Sequence, residues 1–170
     1  EPISHTGVLA SYQFSELVSA SAGIANTMGP MINDNANPPK AESYKTYMAS
    51  IAVTAPEDMG FMAGSTLYGG IVDGFDRGGN AAASATGNGN ATHYYAGLTM
   101  ATPIKELRFG TAFDYNNLHS GGYAWALAGY LSHQTTEKLS LHARAEYMKH
   151  TKQDYTFTPS KVFGLTGTVQ

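Results

Sequence analysis

The amino-acid sequence predicts an all-β protein whose strands form an antiparallel up-and-down meander. Apolar and polar residues alternate with a period of two along most of the 170 residues, a pattern typical of strands with two unlike faces. Helical periodicity is hard to find anywhere in the chain. The connecting segments alternate between short and long, as they do when hairpins join successive strands and all short turns lie at one end of the sheet.

The first five predicted strands can be read from this alternation. In most of them one parity carries apolar or aromatic residues, and the other carries mainly Ser, Gly, Thr and Gln. The fourth segment is strand-like but too rich in glycine for its faces to be assigned. These strands are predicted at 8–15, 18–24, 46–53, 59–75 and 93–100.

The last four predicted strands show the pattern most clearly in the segment "EKLSLHARAEYMKH". From Leu139, every second residue is Leu, Leu, Ala, Ala, Tyr, and the residues between them are Ser, His, Arg, Glu, Met. One face is therefore apolar and the other carries opposite charges. These strands are predicted at 107–114, 123–134, 139–148 and 161–170.

The connections fall into two groups. Tight turns are predicted near Glu16, near Asp58, at 103–106 and at 136–138. Long polar segments are predicted at 27–43, 76–91, 116–122 and 149–161. A soluble sandwich with Greek-key crossings gives no such regular division, whereas a membrane β-barrel does.

The turn lengths also predict the register. Directly opposed residues of an antiparallel pair share a face, and their residue numbers add to the same total along the whole hairpin. A three-residue loop at 136–138 sets Thr135 opposite Leu139. The same loop sets Leu131 opposite Ala143 and Leu127 opposite Tyr147 on the apolar side, and Ser132 opposite His142 and Tyr130 opposite Arg144 on the polar side. A four-residue loop at 103–106 sets Met100 opposite Phe109 and Ala101 opposite Arg108.

The composition of the two faces predicts a barrel with water inside. The apolar parity carries large aromatic residues near strand ends, where amphipathic rings suit the headgroup level of a bilayer. The other parity is mostly Gly, Ala, Ser and Thr, whereas a face exposed to bulk solvent is usually richer in Lys and Glu. The predicted lipid-facing residues are Val8, Tyr12, Ile51, Leu98, Phe109, Phe113, Trp125, Leu127, Leu131, Leu141 and Tyr147.

The few ionisable residues are predicted to line the pore. A charge on the lipid face at the bilayer midplane would cost roughly 2–4 kcal/mol, which favours the inward orientation. Such charges could create a transverse field that orients solutes and sets ion preference. The simpler interpretation is that Arg144 and Glu146, two residues apart, satisfy each other within the wall. The predicted pore-lining residues are Arg108, Asp114, His142, Arg144, Glu146 and Lys45.

We expect residues 1–170 to form a single β-barrel domain that covers about nine strands of a larger barrel. Bacterial single-chain barrels have an even number of strands, and lipid does not tolerate an open sheet edge. The alternative is an eight-stranded barrel followed by a tail.

Composition and motifs exclude several other classes of function. The formal net charge is −3 and no basic cluster is visible, so no nucleic-acid partner is expected. The chain has no cysteine and therefore neither a disulfide scaffold nor a thiolate metal site. His142 and His150 share a face but lie about 26 Å apart along one strand, too far to bind one metal ion. Ser120 next to His119 lacks the context of a catalytic nucleophile, so we expect no enzyme activity and no cofactor.

The sequence resembles a known family over essentially its whole length. The segments "GVLASYQFSELVSASAGIANT", "NPPKAESYKTYM" and "TEKLSLHARAEY" are similar to those of the OmpL-like β-barrel porins of Gram-negative bacteria, the second β-barrel porin family. The resemblance implies a bacterial outer-membrane channel for the passive diffusion of small hydrophilic solutes or ions. It implies outer-membrane lipids and small polar solutes as partners and is compatible with a homo-oligomer. It supplies no catalytic residues.

Two other functions remain open at this point. A narrow or plugged outer-membrane barrel could act structurally through its external loops, since about eight strands leave an interior filled by side chains whereas 16–18 leave a channel. A soluble β-barrel could bind an apolar ligand inside.

Overall fold

A computed structural model describes residues 6–26, 45–75, 90–119, 122–151 and 160–170 and confirms the all-β fold class. Among these residues no helix is long and apolar enough to cross a bilayer. A short 3₁₀ helix spans Glu57–Met62. The strands are β1 (Gly7–Gln13), β2 (Val18–Ala25), β3 (Thr46–Thr54), β4 (Thr66–Phe75), β5 (Asn90–Ala101), β6 (Leu107–Leu118), β7 (Gly122–Thr136), β8 (Leu139–His150) and β9 (Lys161–Val169).

The strands form a single sheet in the order β1 to β9. Every neighbouring pair is antiparallel, so each strand pairs with the strands before and after it in sequence. This arrangement confirms the predicted meander. Within the described residues β1 pairs with β2 alone and β9 with β8 alone, which makes these two strands the edges of the sheet.

The register of the β7–β8 hairpin agrees with the sequence prediction except next to the turn. Leu131 pairs with Ala143 and Tyr130 with Arg144, and the other predicted pairs of this hairpin also hold. The predicted pairing of Thr135 with Leu139 is wrong, because a bulge at 134–136 sets Thr136 opposite Leu139. The β5–β6 prediction is confirmed: Met100 pairs with Phe109 and Ala101 with Arg108.

Two connections differ from the predicted lengths. The segment 116–122 was predicted to be a long loop, but β6 continues until Leu118 pairs with Gly122. The asparagines at 116 and 117 are poor strand formers, and pairing with strands on both sides outweighs that preference. The regular alternation of short and long connections therefore fails at this position.

The predicted tight turn near Asp58 is a longer loop, 55–65, that contains the 3₁₀ helix. The loop is closed by backbone hydrogen bonds from Ala55 N to Ser65 O (2.7 Å) and from Gly64 N to Ala55 O (3.0 Å). Gly60 and Gly64 have φ angles of 60° and 75°, which residues with a side chain rarely adopt. The strand predicted at 59–75 consequently begins only at Thr66.

The sheet has two faces of different chemistry. We call the polar face the side that carries Ser11, Ser50, Asp114 and Arg144 with their register partners, and the apolar face the opposite side. One register row of the apolar face runs through Tyr12, Ala20, Ile51, Gly69, Ala96, Phe113, Leu127, Tyr147 and Phe163.

The sheet is strongly curled, with the polar face on the inside. Leu9 of β1 and Met148 of β8 both belong to the polar face and line the same cavity of about 610 Å³. In a flat sheet with strands about 4.8 Å apart, seven strand spacings would separate these residues by roughly 34 Å. Their shared cavity therefore requires the polar face to be concave.

The large side chains of the apolar face are exposed in the described part of the chain. The exposed fraction is 73% for Val8, 48% for Leu127 and 43% for Leu141. In the described part of the chain, the buried hydrophobic residues are three alanines, at 25, 91 and 128. The apolar side chains are thus on the outside of the curl, and nothing resembling the core of a soluble sandwich forms among the described residues.

Candidate functional site

The concave polar face collects most of the predicted pore-lining residues. Alternation along β6 and β8 places all five that lie within strands on this face: Arg108, Asp114, His142, Arg144 and Glu146. Lys45 is exposed and comes immediately before the first paired residue of β3, so the register assigns it to neither face. The pore-lining role of all six residues remains a prediction.

Hydroxyl groups of neighbouring strands are hydrogen-bonded to each other at two levels of the polar face. The Ser11 and Ser21 hydroxyls of β1 and β2 are hydrogen-bonded at 2.8 Å. Thr54 and Thr66 form the same kind of contact between β3 and β4 at 3.1 Å. Each hydroxyl can both donate and accept, so these groups retain capacity to bind water. The polar face of β1 to β4 therefore carries hydroxyl groups but no charged side chain within the strands.

An ion pair lies on the polar face of β8, between β7 and β9. Arg144 donates to the carboxylate of Glu146, two residues along β8. The guanidinium also lies 5.6 Å from the centre of the Tyr130 ring. Glu146 in turn lies against Gly164 of β9, where an added Cβ would be 3.0 Å from its Oε1. Both side chains are more than 40% exposed, so the pair adds at most about 1 kcal/mol to stability and serves mainly to hold both charges against the wall.

Arg108 carries an exposed positive charge into a second cavity of about 360 Å³. Tyr68, Tyr95 and Tyr130 line this cavity together with Ser132. No carboxylate of the described residues forms an ion pair with Arg108, in contrast to Arg144. Its guanidinium is therefore available to a solute on the concave side of the sheet.

The larger cavity lies nearer the long-loop end of the strands and has a different lining. Asp114, His93 and Asn116 contribute polar groups, whereas Leu9 and Met148 are among its apolar residues. His93 and Asn116 are not among the predicted site residues. The alternation in β5 placed His93 on the polar parity, but Asn116 was assigned to a loop, so their opposition across β5 and β6 could not be seen.

The charges of the two cavities lie at different heights along the strands. Arg108 is level with His142, whereas Asp114 is level with Met148, six residues further along β8. At about 3.3 Å per residue, this separates the two levels by roughly 20 Å. Arg108 and Arg144 thus lie in the half of the polar face near the short turns, and Asp114 lies in the half near the long loops.

The predicted lipid-facing residues all lie within strands on the apolar face. Three of their rings are neighbours: the ring centroid of Trp125 lies 5.3 Å from that of Tyr147 and 6.4 Å from that of Phe113. A second group on the same face places Tyr115 6.2 Å from both Tyr94 and Tyr123. Both groups lie on β5 to β8, towards the end of the strands that carries the long loops. This is the position of an aromatic girdle, although contact with lipid remains a prediction.

One polar cluster lies on the apolar face at the long-loop end. The Thr92 hydroxyl donates to Asp73 Oδ2 at 2.5 Å and lies 2.9 Å from His119 Nε2. Because a hydroxyl has one proton to donate, His119 must donate from Nε2. Thr92 is only 4% exposed, so the cluster joins β4, β5 and the end of β6 and offers no accessible nucleophile.

We expect Thr92→Val to destabilise the protein by about 1–3 kcal/mol, because Asp73 loses the donor of a largely buried hydrogen bond. Chemical unfolding of the purified protein measures the change. Thr99→Val, at an exposed position of the same strand, is the matched control and should stay within about 0.5 kcal/mol of the wild type. Equal losses in the two variants would contradict a specific role for the cluster.

The arrangement offers no metal centre in the described part of the chain. No three His, Asp or Glu side chains converge there. His142 donates to or accepts from Ser140 at 3.0 Å, and His150 is buried at the far end of the same strand. Ser120, the neighbour of His119, lies outside the described residues.

An antiparallel meander that is polar on its concave side and apolar on its convex side defines the class of porin-like β-barrels. The family model described as "Putative beta-barrel porin-2, OmpL-like" matches residues 1–170, the whole chain. The chain therefore belongs to this porin family, which confirms the resemblance seen in the sequence. Membership implies a channel and not an enzyme. No curated protein and no solved structure matches the chain.

Proposed function

We propose that the protein is a porin of the bacterial outer membrane that allows small hydrophilic solutes or ions to diffuse passively through a water-filled barrel. The direction of curl carries this proposal: among the described residues the polar face is concave and the large side chains of the apolar face are exposed. Family membership supports the same function.

The exposed side chains of the apolar face favour a membrane. Large apolar residues such as Val8, Ile51 and Phe163 are 49% or more exposed. Soluble monomers rarely expose contiguous apolar patches of more than a few hundred Å². Hydrocarbon removes this surface from water, and the strand ladders satisfy the backbone polar groups that lipid cannot.

The concave face provides the physical basis for diffusion. Hydroxyl rows and exposed charges keep water bound along the wall, so a polar solute crosses without losing its hydration to hydrocarbon. The wall charges then bias which solutes enter. Of the two arginines on this face, Arg108 contributes more to this bias, because the positive charge of Arg144 is partly neutralised by Glu146.

Single-channel recording of the purified protein in a planar bilayer tests the proposal. We expect stable conductance steps that persist without added ligand, because a hydrated lumen needs no gating event to pass ions. Bilayers treated with detergent alone are the control. Insertion into the bilayer without any steps would contradict the open channel.

That silent outcome would favour the second candidate, a narrow or plugged barrel with a structural role. Large side chains on the concave side, including Tyr68, Tyr95, Tyr130 and Met148, are the observation that favours it. A soluble barrel that binds an apolar ligand is less well supported, because such a barrel would turn its apolar face inward.

A further inference from the structure

Two lysines face each other on the apolar face of the sheet. Lys149 of β8 and Lys161 of β9 are direct register partners, and they share their face with Tyr147 and Phe163. β8 ends at His150 and β9 begins at Lys161, so both lysines lie at the long-loop end of the strands. Lys149 is half-buried and Lys161 is exposed.

Aromatic residues adjoin this lysine pair. Lys149 pairs across the sheet with Trp125, and Trp125 pairs with Tyr115, so one register row runs from two aromatic residues into two lysines. Trp and Tyr rings on the outside of a membrane barrel mark the level of the lipid headgroups. Long lysine side chains at that level can keep their stems against apolar surface and extend their ammonium groups towards the headgroups.

The lysine pair lacks a negative partner in the part of the chain that the structure describes. Neither ammonium group forms an ion pair there. Asp73 is the carboxylate that the described strands place on the same face, but it accepts from Thr92 and lies on β4, four strands from β8 and roughly 19 Å away. Like charges directly opposite each other across two strands repel.

Protection of a sheet edge does not explain the pair. Lysine on an edge strand discourages unwanted strand pairing, and this could account for Lys161 on β9. Lys149 lies on β8, which is paired on both sides, and so has no edge to protect. An anion held between the two ammonium groups would convert the repulsion into two attractions and account for both residues.

We infer that Lys149 and Lys161 bind the phosphate of an anionic lipid headgroup on the outer surface of the barrel wall. The inference rests on the proposed membrane location. Each ammonium group offers three hydrogen-bond donors to phosphate oxygens. Trp125, beside Lys149, lies where it can pack against the apolar part of the same lipid.

Lipid binding to the protein in uncharged detergent tests the inference, with native mass spectrometry as the readout. Phosphatidylglycerol is the anionic probe, phosphatidylcholine is the probe without net charge, and inorganic phosphate is the competitor. Each lysine near an anionic lipid contributes about fivefold in affinity. We therefore expect the K149Q/K161Q double variant to bind phosphatidylglycerol about thirtyfold more weakly than the wild type, with little change for phosphatidylcholine.

Two further double variants identify the cause of the change. K149R/K161R keeps both charges and should retain binding, whereas K105Q/K138Q removes two lysines from short turns at the other end of the strands and should leave binding unchanged. Equal affinity of the wild type and K149Q/K161Q would overturn the inference. Full displacement of the lipid by equimolar inorganic phosphate would also overturn it, since the site would then bind a free anion.

Conductance of the same variant separates this inference from the proposed function. Both lysines lie on the outside of the wall, so K149Q/K161Q should keep the wild-type conductance step. If the protein gives no conductance steps but the variant selectively loses lipid binding, the proposed channel is contradicted and the lipid site is supported. If the variant gives normal conductance steps and its lipid binding is unchanged, the lipid site is contradicted and the proposed channel is supported.

Discussion

Replacing Leu127 by arginine is expected to cost about 2 kcal/mol of folding stability in a lipid bilayer, since a basic residue on the lipid face costs roughly 2–4 kcal/mol at the midplane and less towards the headgroups. Leu127 lies within β7 on the apolar face and is 48% exposed. In an aqueous environment such an exposed position would tolerate arginine with little loss. The size of the loss in folding stability therefore shows whether the apolar face contacts lipid or water.

The adjacent residue provides the matched control. Ala126 lies on the polar face, between Asp114 of β6 and Met148 of β8, so an arginine there would enter the cavity near a carboxylate. We expect Ala126→Arg to cost less than about 1 kcal/mol. Urea unfolding in phosphatidylcholine vesicles measures both variants, and Trp125, the single tryptophan of the chain, reports the transition. Equal costs at the two positions would show that the apolar face does not meet lipid.

Arg108→Glu is expected to raise the cation concentration beside this residue about tenfold and so to shift the ion preference of the channel towards cations. A unit charge about 6 Å from an ion in a water-like medium contributes about 0.7 kcal/mol, or about threefold in local ion concentration. Reversing the charge doubles this energy and so squares the factor. Arg108 is suited to such an effect because it is exposed in the concave wall and forms no ion pair with the described carboxylates.

The reversal potential under a potassium chloride gradient measures this shift. Lys105→Glu makes the same change of charge in the short turn before β6 and should move the preference much less. The effect of Arg108→Glu should also decline as the salt concentration rises, because the Debye length falls to about 3 Å at 1 M. An equal shift from Lys105→Glu, or none from Arg108→Glu, would show that this part of the polar face does not control ion passage.

Local sequence predicted the β7–β8 hairpin nearly completely. Its two strands keep strict alternation over many residues, and a short turn leaves few alternative registers. The single wrong pair, Thr135 with Leu139, lies at a bulge where one extra residue opposes the partner strand. Bulges depend on how the ladder relaxes next to its turn, and alternation carries no signal for them.

The errors and omissions occurred where local preference and strand pairing disagree. Asn116 and Asn117 have the composition of a loop but lie in β6, paired on both sides. Lys149 likewise lies in a segment predicted to be a long polar loop, so its opposition to Lys161 across β8 and β9 was not predicted. In each case hydrogen bonds to neighbouring strands extended the ladder beyond the point that composition suggested.

By itself the sequence determined the strand order and the sorting of side chains onto two faces, because hairpin connection and the period of two are local properties of the chain. The composition of the two faces predicted a polar interior, but only the tertiary structure decided which face is concave. Alternation is the same whether a sheet curls towards its polar or its apolar side, since curvature arises from coiling summed over many strands. That summation brings Leu9 and Met148 to one cavity, and it places Arg108 and Asp114 inside and Leu127 outside.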